Sequence, residues 1–459
     1  MVSDALTEES HKDWLGVISL VGIYSAVMAA LISYVNRGTA FHGMILVDGY
    51  ATFFRLLVFV IGFLTVLASF SYLKRDGLPQ GEYYALILFS LAGQGLMAAS
   101  SELIMIFLGL EISSISTYIL AGFLRHDAKS NESALKYFFL GSFATAFLLY
   151  GVALIYGATG STRLDAIRLA IEKGEAGGKL LAVATALMFV GFAFKVSAAP
   201  FQIWTPDVYQ GAPSPVTAFL STGPKAAAFA IFMRVFFTAL PDSSEAWMWL
   251  LWISALLSMT IGNFAALMQT NIKRLLAYSS IAHAGYVLVA FASRTRIGAA
   301  AAMFYLAAYA FMNIGAFVVV SHYSSRGERY VAIDDYAGLG HRYPFLAALV
   351  TIYLLSLIGI PLTGGFFGKF YIFRAAVNAD LIWLTVLGLL NSTVAAYYYL
   401  RILVVMYMQE PKESTPLDPL PAGIAATLVV SAAAVFYLGM FPGRVLEFAT
   451  QAALFVPPR

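Results

Sequence analysis

Long apolar stretches separated by short polar turns recur from one end of the sequence to the other. Stretches of ~18 or more apolar residues read as membrane-spanning helices. About thirteen are predicted. The first seven are Trp14–Asn36, Tyr50–Leu73, Tyr83–Ala99, Leu103–Leu124, Ser133–Gly157, Leu180–Tyr209 and Val216–Leu240. The others are Trp247–Leu267, Leu275–Ser293, Gly298–His322, Phe345–Phe373, Leu381–Met408 and Gly423–Met440. A membrane β-barrel would instead show alternating segments of ~10 residues, which are absent. The longest polar loops, Thr159–Lys179 and Ser324–Tyr343, are too short for a soluble catalytic domain. The pattern therefore predicts an all-α polytopic membrane protein whose chemistry lies inside the bilayer.

Two of these spans depart from a plain apolar helix. GFAFKVSAAPFQIWTPDVYQGAPSPV carries Pro200, Pro206, Pro213 and Pro215 beside Lys195. SLIGIPLTGGFFGKFYIF carries Pro361, Gly364, Gly365 and Gly368 beside Lys369. Proline removes a backbone donor and glycine loosens the helix, so both spans should break near mid-membrane. Broken backbone at that depth persists only where protein buries it or it lines a wet cavity. Interrupted helices at corresponding places in two halves point to an inverted-repeat transporter. A packing kink is the plainer reading of one proline, but it does not account for a lysine beside each break.

Composition agrees with this pattern. Apolar residues make up 60% of the 459 residues and charged residues 12%, against about 25% charged in a soluble domain. Mean hydropathy is +0.79. With no cysteine, thiolate-bound iron–sulfur clusters, cysteine zinc sites and disulfides are excluded. A net charge of +3 is too small to imply a nucleic-acid partner. The segment Met1–Asp13 is acidic at Asp4, Glu8 and Glu9, so no cleavable signal peptide is expected.

A charge at the centre of a membrane helix costs roughly 2.5–3.5 kcal/mol on insertion scales. Four such residues have no inexpensive explanation: Glu111, Lys195, Lys225 and Lys369. Lys136 either snorkels to the headgroups or joins them. His283, about ten residues beyond the basic pair Lys273–Arg274, is either a hydrogen-bonded core residue or a relay. Glu102 follows two serines at a helix start, where an acid is ordinary. Arg55, Arg234, Arg374 and Arg401 lie near span ends and should snorkel or pair. An ammonium in a low-dielectric site loses its proton more readily, and a nearby carboxylate reverses this. Glu111 and Lys195 are thus the natural switching pair, Lys225 the next acceptor and Lys369 the exit group. None of these residues, and none of the six histidines, has metal-ligand spacing.

The strings FKVSAAPFQIW, TPDVYQGAPSPVTAFL, LGLEISSIS, LLSMTIGNFAALMQTNIKRLLAYSSIAHAGY and IPLTGGFFGKFYIF resemble the subunit N family of bacterial NADH-quinone oxidoreductase (respiratory complex I). The resemblance runs from about Val47 to Arg401 and continues more weakly to the C-terminus. It implies an antiporter-like fold with two inverted five-helix repeats, each holding a broken helix. Here the chain would divide into N-terminal helices (1–82), a first repeat (83–240), a second repeat (241–408) and a C-terminal helix and tail (409–459). The family's proton-transfer residues fall on Glu111, Lys136, Lys195, Lys225 and Lys369. NAD, FMN, iron–sulfur clusters and quinone are then expected on other subunits, with no cofactor on this chain. Its partners would be other membrane subunits of the complex and the lipid bilayer. Only Trp14–Asn36 precedes Val47-Asp48-Gly49, whereas the resemblance implies two helices there; on that expectation one N-terminal helix would be missing or the start codon misplaced.

Thirteen spans put the termini on opposite sides of the membrane. Lys74, Arg75, Arg125, Lys129, Lys273, Arg274, Arg326, Arg329 and Arg342 then share one side, cytoplasmic by the positive-inside rule; Thr159–Lys179 opposes this with four basic residues. The expected location is the bacterial inner membrane. The function expected is proton translocation driven by quinone reduction elsewhere in the complex. A subunit of a multisubunit cation/proton antiporter shares the fold and the lysines, and a membrane enzyme acting on lipid or quinone is the reading from another class.

Overall fold

The structure, a computed structural model, describes residues 12–240, 244–324, 326–411 and 417–456; Asp4, Glu8 and Glu9 lie outside them. The helices are α1 (Asp13–Val35), α2 (Gly49–Asp76), α3 (Gln80–Ala99), α4 (Leu103–Ala121), α5 (Ala128–Thr159), α6 (Leu164–Glu172) and α7 (Gly178–Lys195). Then follow α8 (Thr205–Gly211), α9 (Ser214–Leu220), α10 (Gly223–Ala239), α11 (Ser244–Leu267), α12 (Ile272–Ala292) and α13 (Arg296–Tyr323). The last are α14 (Leu339–Arg342), α15 (Pro344–Ile358), α16 (Gly364–Asn378), α17 (Ile382–Met408), α18 (Ala422–Met440) and α19 (Pro442–Ala452).

Among the described residues, eleven helical segments are long and apolar enough to cross a membrane, with α9 and α10 together counted as one. The other two expected spans are α3, with 20 residues, and the α15–α16 pair, which crosses in two halves. Polar side chains start the helices by accepting from free N–H groups. Asp48 accepts from Ala51, Glu102 from Met105, Asp127 from Ser130, Asn271 from Arg274 and Thr295 from Gly298. Because Asp127 sets the start of α5, that helix begins at Ala128 and not at Ser133.

Three expectations need adjusting. The all-α reading misses a small antiparallel hairpin, Gly38–Ala40 paired with Ile45–Val47. The loop Thr159–Lys179 contains the short helix α6. Val216–Leu240 is not one helix: α9 ends at Leu220 and α10 starts at Gly223.

Both predicted breaks are present, and neighbouring side chains satisfy the freed backbone, as hydrocarbon requires. In the first, between α7 and α8, the Ala199 N–H donates to Ser258 Oγ at 2.8 Å and Ser254 Oγ donates to the Ala199 carbonyl at 2.6 Å. In the second, between α15 and α16, Gly365 N–H donates to Ser356 Oγ and Thr363 Oγ1 to the Ile360 carbonyl. Gly359 turns the chain there at φ +95°, a conformation that glycine alone adopts without strain.

The Asp13–Lys74, Glu82–Arg125 and Arg75–Ser321 contacts gather the ends of α1, α2, α3, α4 and α13 on one basic face. The hairpin, α6 and α19 lie at the opposite face. α3 starts from the basic face and α11 from the opposite one. α12, α13 and the α9–α10 pair are buried almost all round, which is why their sequences are apolar on every side. Almost the whole outer surface belongs to the other helices.

Candidate functional site

α4 places Glu111, Ser114 and Tyr118 on one stripe, at helical spacings of three and four. Lys195, the last residue of α7, donates to Ser114 Oγ at 2.6 Å and to Tyr118 Oη at 2.9 Å. Glu111 accepts from Thr145 Oγ1 at 3.0 Å. The carboxylate and the ammonium therefore sit one turn apart, within Coulombic reach but joined through hydroxyls and not by a direct ion pair. Gly141 on α5 makes this possible: a Cβ there would stand 2.2 Å from Tyr118 Oη.

Lys136 lies eight residues into α5 (128 to 136), or ~12 Å from the helix start at helical rise, with its side chain partly exposed. Its ammonium pairs with Asp207 at 2.7 Å and Glu132 at 2.6 Å, and Asp207 in turn pairs with Arg274 at 2.6 Å. This ion cluster opens into a groove of about 820 Å³.

Lys225, 3% exposed, stands just past the α9–α10 break. It donates to Ser280 on α12, to the carbonyl at 3.2 Å and more closely to Oγ. One turn on, His283 is 2% exposed and held between two tyrosines: Nδ1 is 2.5 Å from Tyr305 Oη and Nε2 3.2 Å from Tyr399 Oη. Tyr399 also bonds Ser279. Another turn on, the ring of Tyr286 lies under Lys369, with Nζ 4.9 Å from its centroid. Lys369 donates to the Leu357 and Ile358 carbonyls at 3.1 and 2.8 Å and to Ser392 Oγ at 2.8 Å. Those carbonyls are the unpaired end of α15, where the helix dipole favours a cation.

The structure thus brings Lys225, His283 and Lys369 together along α12, and Glu111 with Lys195 along α4. Lys136 joins a separate cluster toward the basic face. The hydroxyl partners Ser114, Tyr118, Ser280, Tyr305, Tyr399 and Ser392 were not anticipated; the polar positions in AYSSIAHAGY were the available signal. Glu102 caps α4. Arg234 is buried and bidentate to Asp48, both contacts at 2.9 Å. Burial alone would raise the Asp48 carboxyl, but the guanidinium and the Ala51 N–H outweigh it and hold it below the ordinary carboxylate range. Lys273, of the basic pair Lys273–Arg274, is 1% exposed and paired with Glu328 at 2.5 Å.

The family described as NADH:quinone oxidoreductase/Mrp antiporter, transmembrane, matches residues 100–395. A relative from Solibacter usitatus named NADH-quinone oxidoreductase subunit N 1 is 60% identical over 99% of this chain and 93% of its own length. The chain belongs to the subunit N family of NADH-quinone oxidoreductases. A chain of respiratory complex I from Thermus thermophilus superposes on this subunit N family member with a TM-score of 0.82 at 38% identity. That match covers 95% of this chain and 94% of the other. A chain of an archaeal membrane-bound sulfane sulfur reductase gives 0.87 at 27% identity over 100% and 94%. The fold is therefore the antiporter-like one, with inverted repeats built around broken helices. Among the described residues of this subunit N family member, no group of three acidic or histidine side chains gathers to hold a metal.

Proposed function

We propose that this chain moves protons across the bacterial inner membrane as a membrane subunit of an NADH-quinone oxidoreductase. Quinone reduction elsewhere in the complex drives it, and the redox cofactors sit on other subunits. Glu111 and Lys195 act as the switch, Lys225 as the central carrier, His283 as a relay and Lys369 as the exit group. Lys136 supplies protons from its ion cluster toward the basic face. The division of this path between residues 83–240 and 241–408 is part of the proposal.

The observation that carries this reading is the central helix α12. Ser280 holds Lys225, His283 is bonded to two tyrosines, and Tyr286 lies against Lys369. Titratable groups separated only by hydroxyls can exchange protons when ion pairs shift by a few kcal/mol, since one pKa unit is ~1.4 kcal/mol. A structural role alone gives no reason to keep two buried ammonium groups without a carboxylate in contact.

The test is proton translocation by the whole complex in proteoliposomes. Lys225→Ala should leave the complex assembled while protons moved per NADH oxidised fall sharply. Unchanged stoichiometry in that variant overturns the central assignment. The antiporter reading, raised by the Mrp part of the family description, predicts something else: transport that needs Na⁺ and proceeds without NADH.

A further inference from the structure

Arg55, expected to snorkel or pair, has only one protein partner. It lies six residues into α2 (49 to 55), or ~9 Å in from the helix start at the opposite face. Its Nε donates to the Gly95 carbonyl on α3 at 3.1 Å. Arginine carries five N–H donors, and among the described residues the four on its terminal nitrogens meet no protein acceptor. Its charged neighbours are Asp48 and Arg234. Both Asp48 oxygens are already held by Arg234 at 2.9 Å, and one of them also by the Ala51 N–H. Two guanidinium groups therefore share one carboxylate, which leaves one positive charge in excess.

Arg55 lines a groove of about 460 Å³ between α1, α2 and α3. The walls are small residues, Ala26, Ala29 and Ala30 from α1 and Ala92 and Gly95 from α3. The groove is polar at one end and apolar at the other. Ser33, Gly95 and Arg55 stand within two turns of the ends of their helices at the opposite face. Ala26 and Phe59 lie deeper, roughly 13–15 Å from those ends at helical rise. The free donors thus sit near headgroup level, with hydrocarbon walls beneath them. Unsatisfied polar groups in hydrocarbon cost several kcal/mol each, so an acceptor belongs here. A helix ~10 Å across occupies about 400 Å³ per turn. From Ala26 to Ser33 the groove runs nearly two turns, ~10 Å, so a helix would lie across its mouth and not within it.

We propose that this groove holds one anionic glycerophospholipid. Its phosphate accepts from the terminal N–H groups of Arg55, the fork geometry that guanidinium and phosphate share, and one acyl chain lies between α1 and α3 down to Phe59. Basic pockets between membrane helices select anionic headgroups in this way. A zwitterionic lipid brings its own cation to a site that already has one positive charge in excess, so it binds less well. The site is independent of how protons cross the chain.

Photo-crosslinking in the intact complex tests this. Complex reconstituted with phosphatidylglycerol carrying a diazirine in its acyl chain should be labelled within residues 26–33 and 92–96 of this chain. Labelling should be about fivefold stronger than with the same diazirine on phosphatidylcholine; fivefold is ~1 kcal/mol, the worth of one basic residue near a membrane surface. Arg55→Gln removes the charge and should make the two lipids label equally. Ala29→Phe, at an exposed position of α1, fills the groove and should lower labelling of 92–96 by both lipids. Equal labelling by the two lipids in the wild-type complex, or a preference that survives Arg55→Gln, overturns the anionic site and leaves only bulk acyl chains in the groove. Labelling by neither lipid means that a helix of a neighbouring subunit covers the groove, which overturns it as well. If Arg55→Gln fails to assemble, the wild-type comparison and Ala29→Phe still decide.

Discussion

Lys195 and Lys369 stand beside the two breaks, yet their surroundings differ in kind. Lys195 is half-buried at the end of α7 and bonded only to hydroxyls, with the carboxylate of Glu111 one turn away. Lys369 is 6% exposed and bonded to the two free carbonyls that end α15. A carboxylate on a side chain can approach or withdraw. A helix end cannot, because its charge is fixed in the backbone. On the proposed path the first lysine is the one switched by its neighbour, and the second holds a proton until α15 or α16 moves. The difference matches the proposed order, with the switch upstream and the exit downstream.

Removing each lysine tests this most strongly. Lys195→Ala removes the ammonium from the switch and leaves Glu111 without its partner, and we expect proton translocation by the complex in proteoliposomes to fall at least about tenfold. Assembly should be normal, because Ser114 and Tyr118 hydroxyls can turn to other acceptors. Lys369→Ala should lose translocation as far but also assemble less well, since it uncaps buried carbonyls at about 1–3 kcal/mol. Blue-native gels and melting of the purified complex separate the two. Equal assembly in both variants would break the distinction between a hydroxyl-held and a helix-held lysine. Glu111→Gln keeps the Thr145 contact while removing the charge, and should lower translocation about fivefold, close to 1 kcal/mol. Normal acidification of Glu111→Gln vesicles would mean that the switch does not need its carboxylate.

How much of this was legible in the sequence follows from what a bilayer demands. Thirteen spans and two breaks were readable because hydrocarbon admits only apolar helices, and Pro200, Pro206, Pro361 and Gly364 interrupt them visibly. The α9–α10 break was hidden: Pro224 falls at the start of α10, where proline is tolerated, so the string reads as continuous. The burial of Lys273 was not legible, because adjacent basic residues usually mark headgroups and its partner Glu328 is 55 positions away. The place of Lys136 along α5 was also hidden, because Asp127 caps the helix at Ala128, ahead of the apolar run that begins at Ser133. The hydroxyl partners were illegible for a simpler reason. Serine and tyrosine occur throughout the chain, and only packing decides that Ser280 and Tyr305 face a lysine and a histidine.

A smaller perturbation probes the switch without touching a charge. Gly141→Ala places a Cβ where Tyr118 Oη now lies, 2.2 Å away. The ring must swing aside, which removes one of the two hydroxyls holding Lys195 and lets the ammonium drift toward Glu111. A lost hydrogen bond to a charged group is worth about 1.5–3 kcal/mol at most, and the remaining Ser114 contact softens that. Translocation should fall about threefold, and Gly141→Ala with Glu111→Gln should be no worse than Glu111→Gln alone, because both act on one pair. Additive losses would show that Tyr118 has a role of its own.

The smallest effect is expected at Glu102. It lies on the same helix as Glu111, nine residues earlier (102 to 111), or ~13 Å along the axis. Its carboxylate is 6% exposed and accepts from the Met105 N–H at 3.0 Å. Glutamine keeps an oxygen acceptor for that bond and gives up only the interaction of the charge with the helix dipole, about 0.3–1 kcal/mol. Translocation in Glu102→Gln should therefore stay within about twofold of wild type, with a slight drop in melting temperature. Two glutamates on one helix then separate into a cap and a switch by what each touches: a backbone N–H at the membrane edge, or a hydroxyl beside a lysine in its middle. A loss in Glu102→Gln as deep as in Glu111→Gln would erase that separation and extend the proton path to the opposite face along α4.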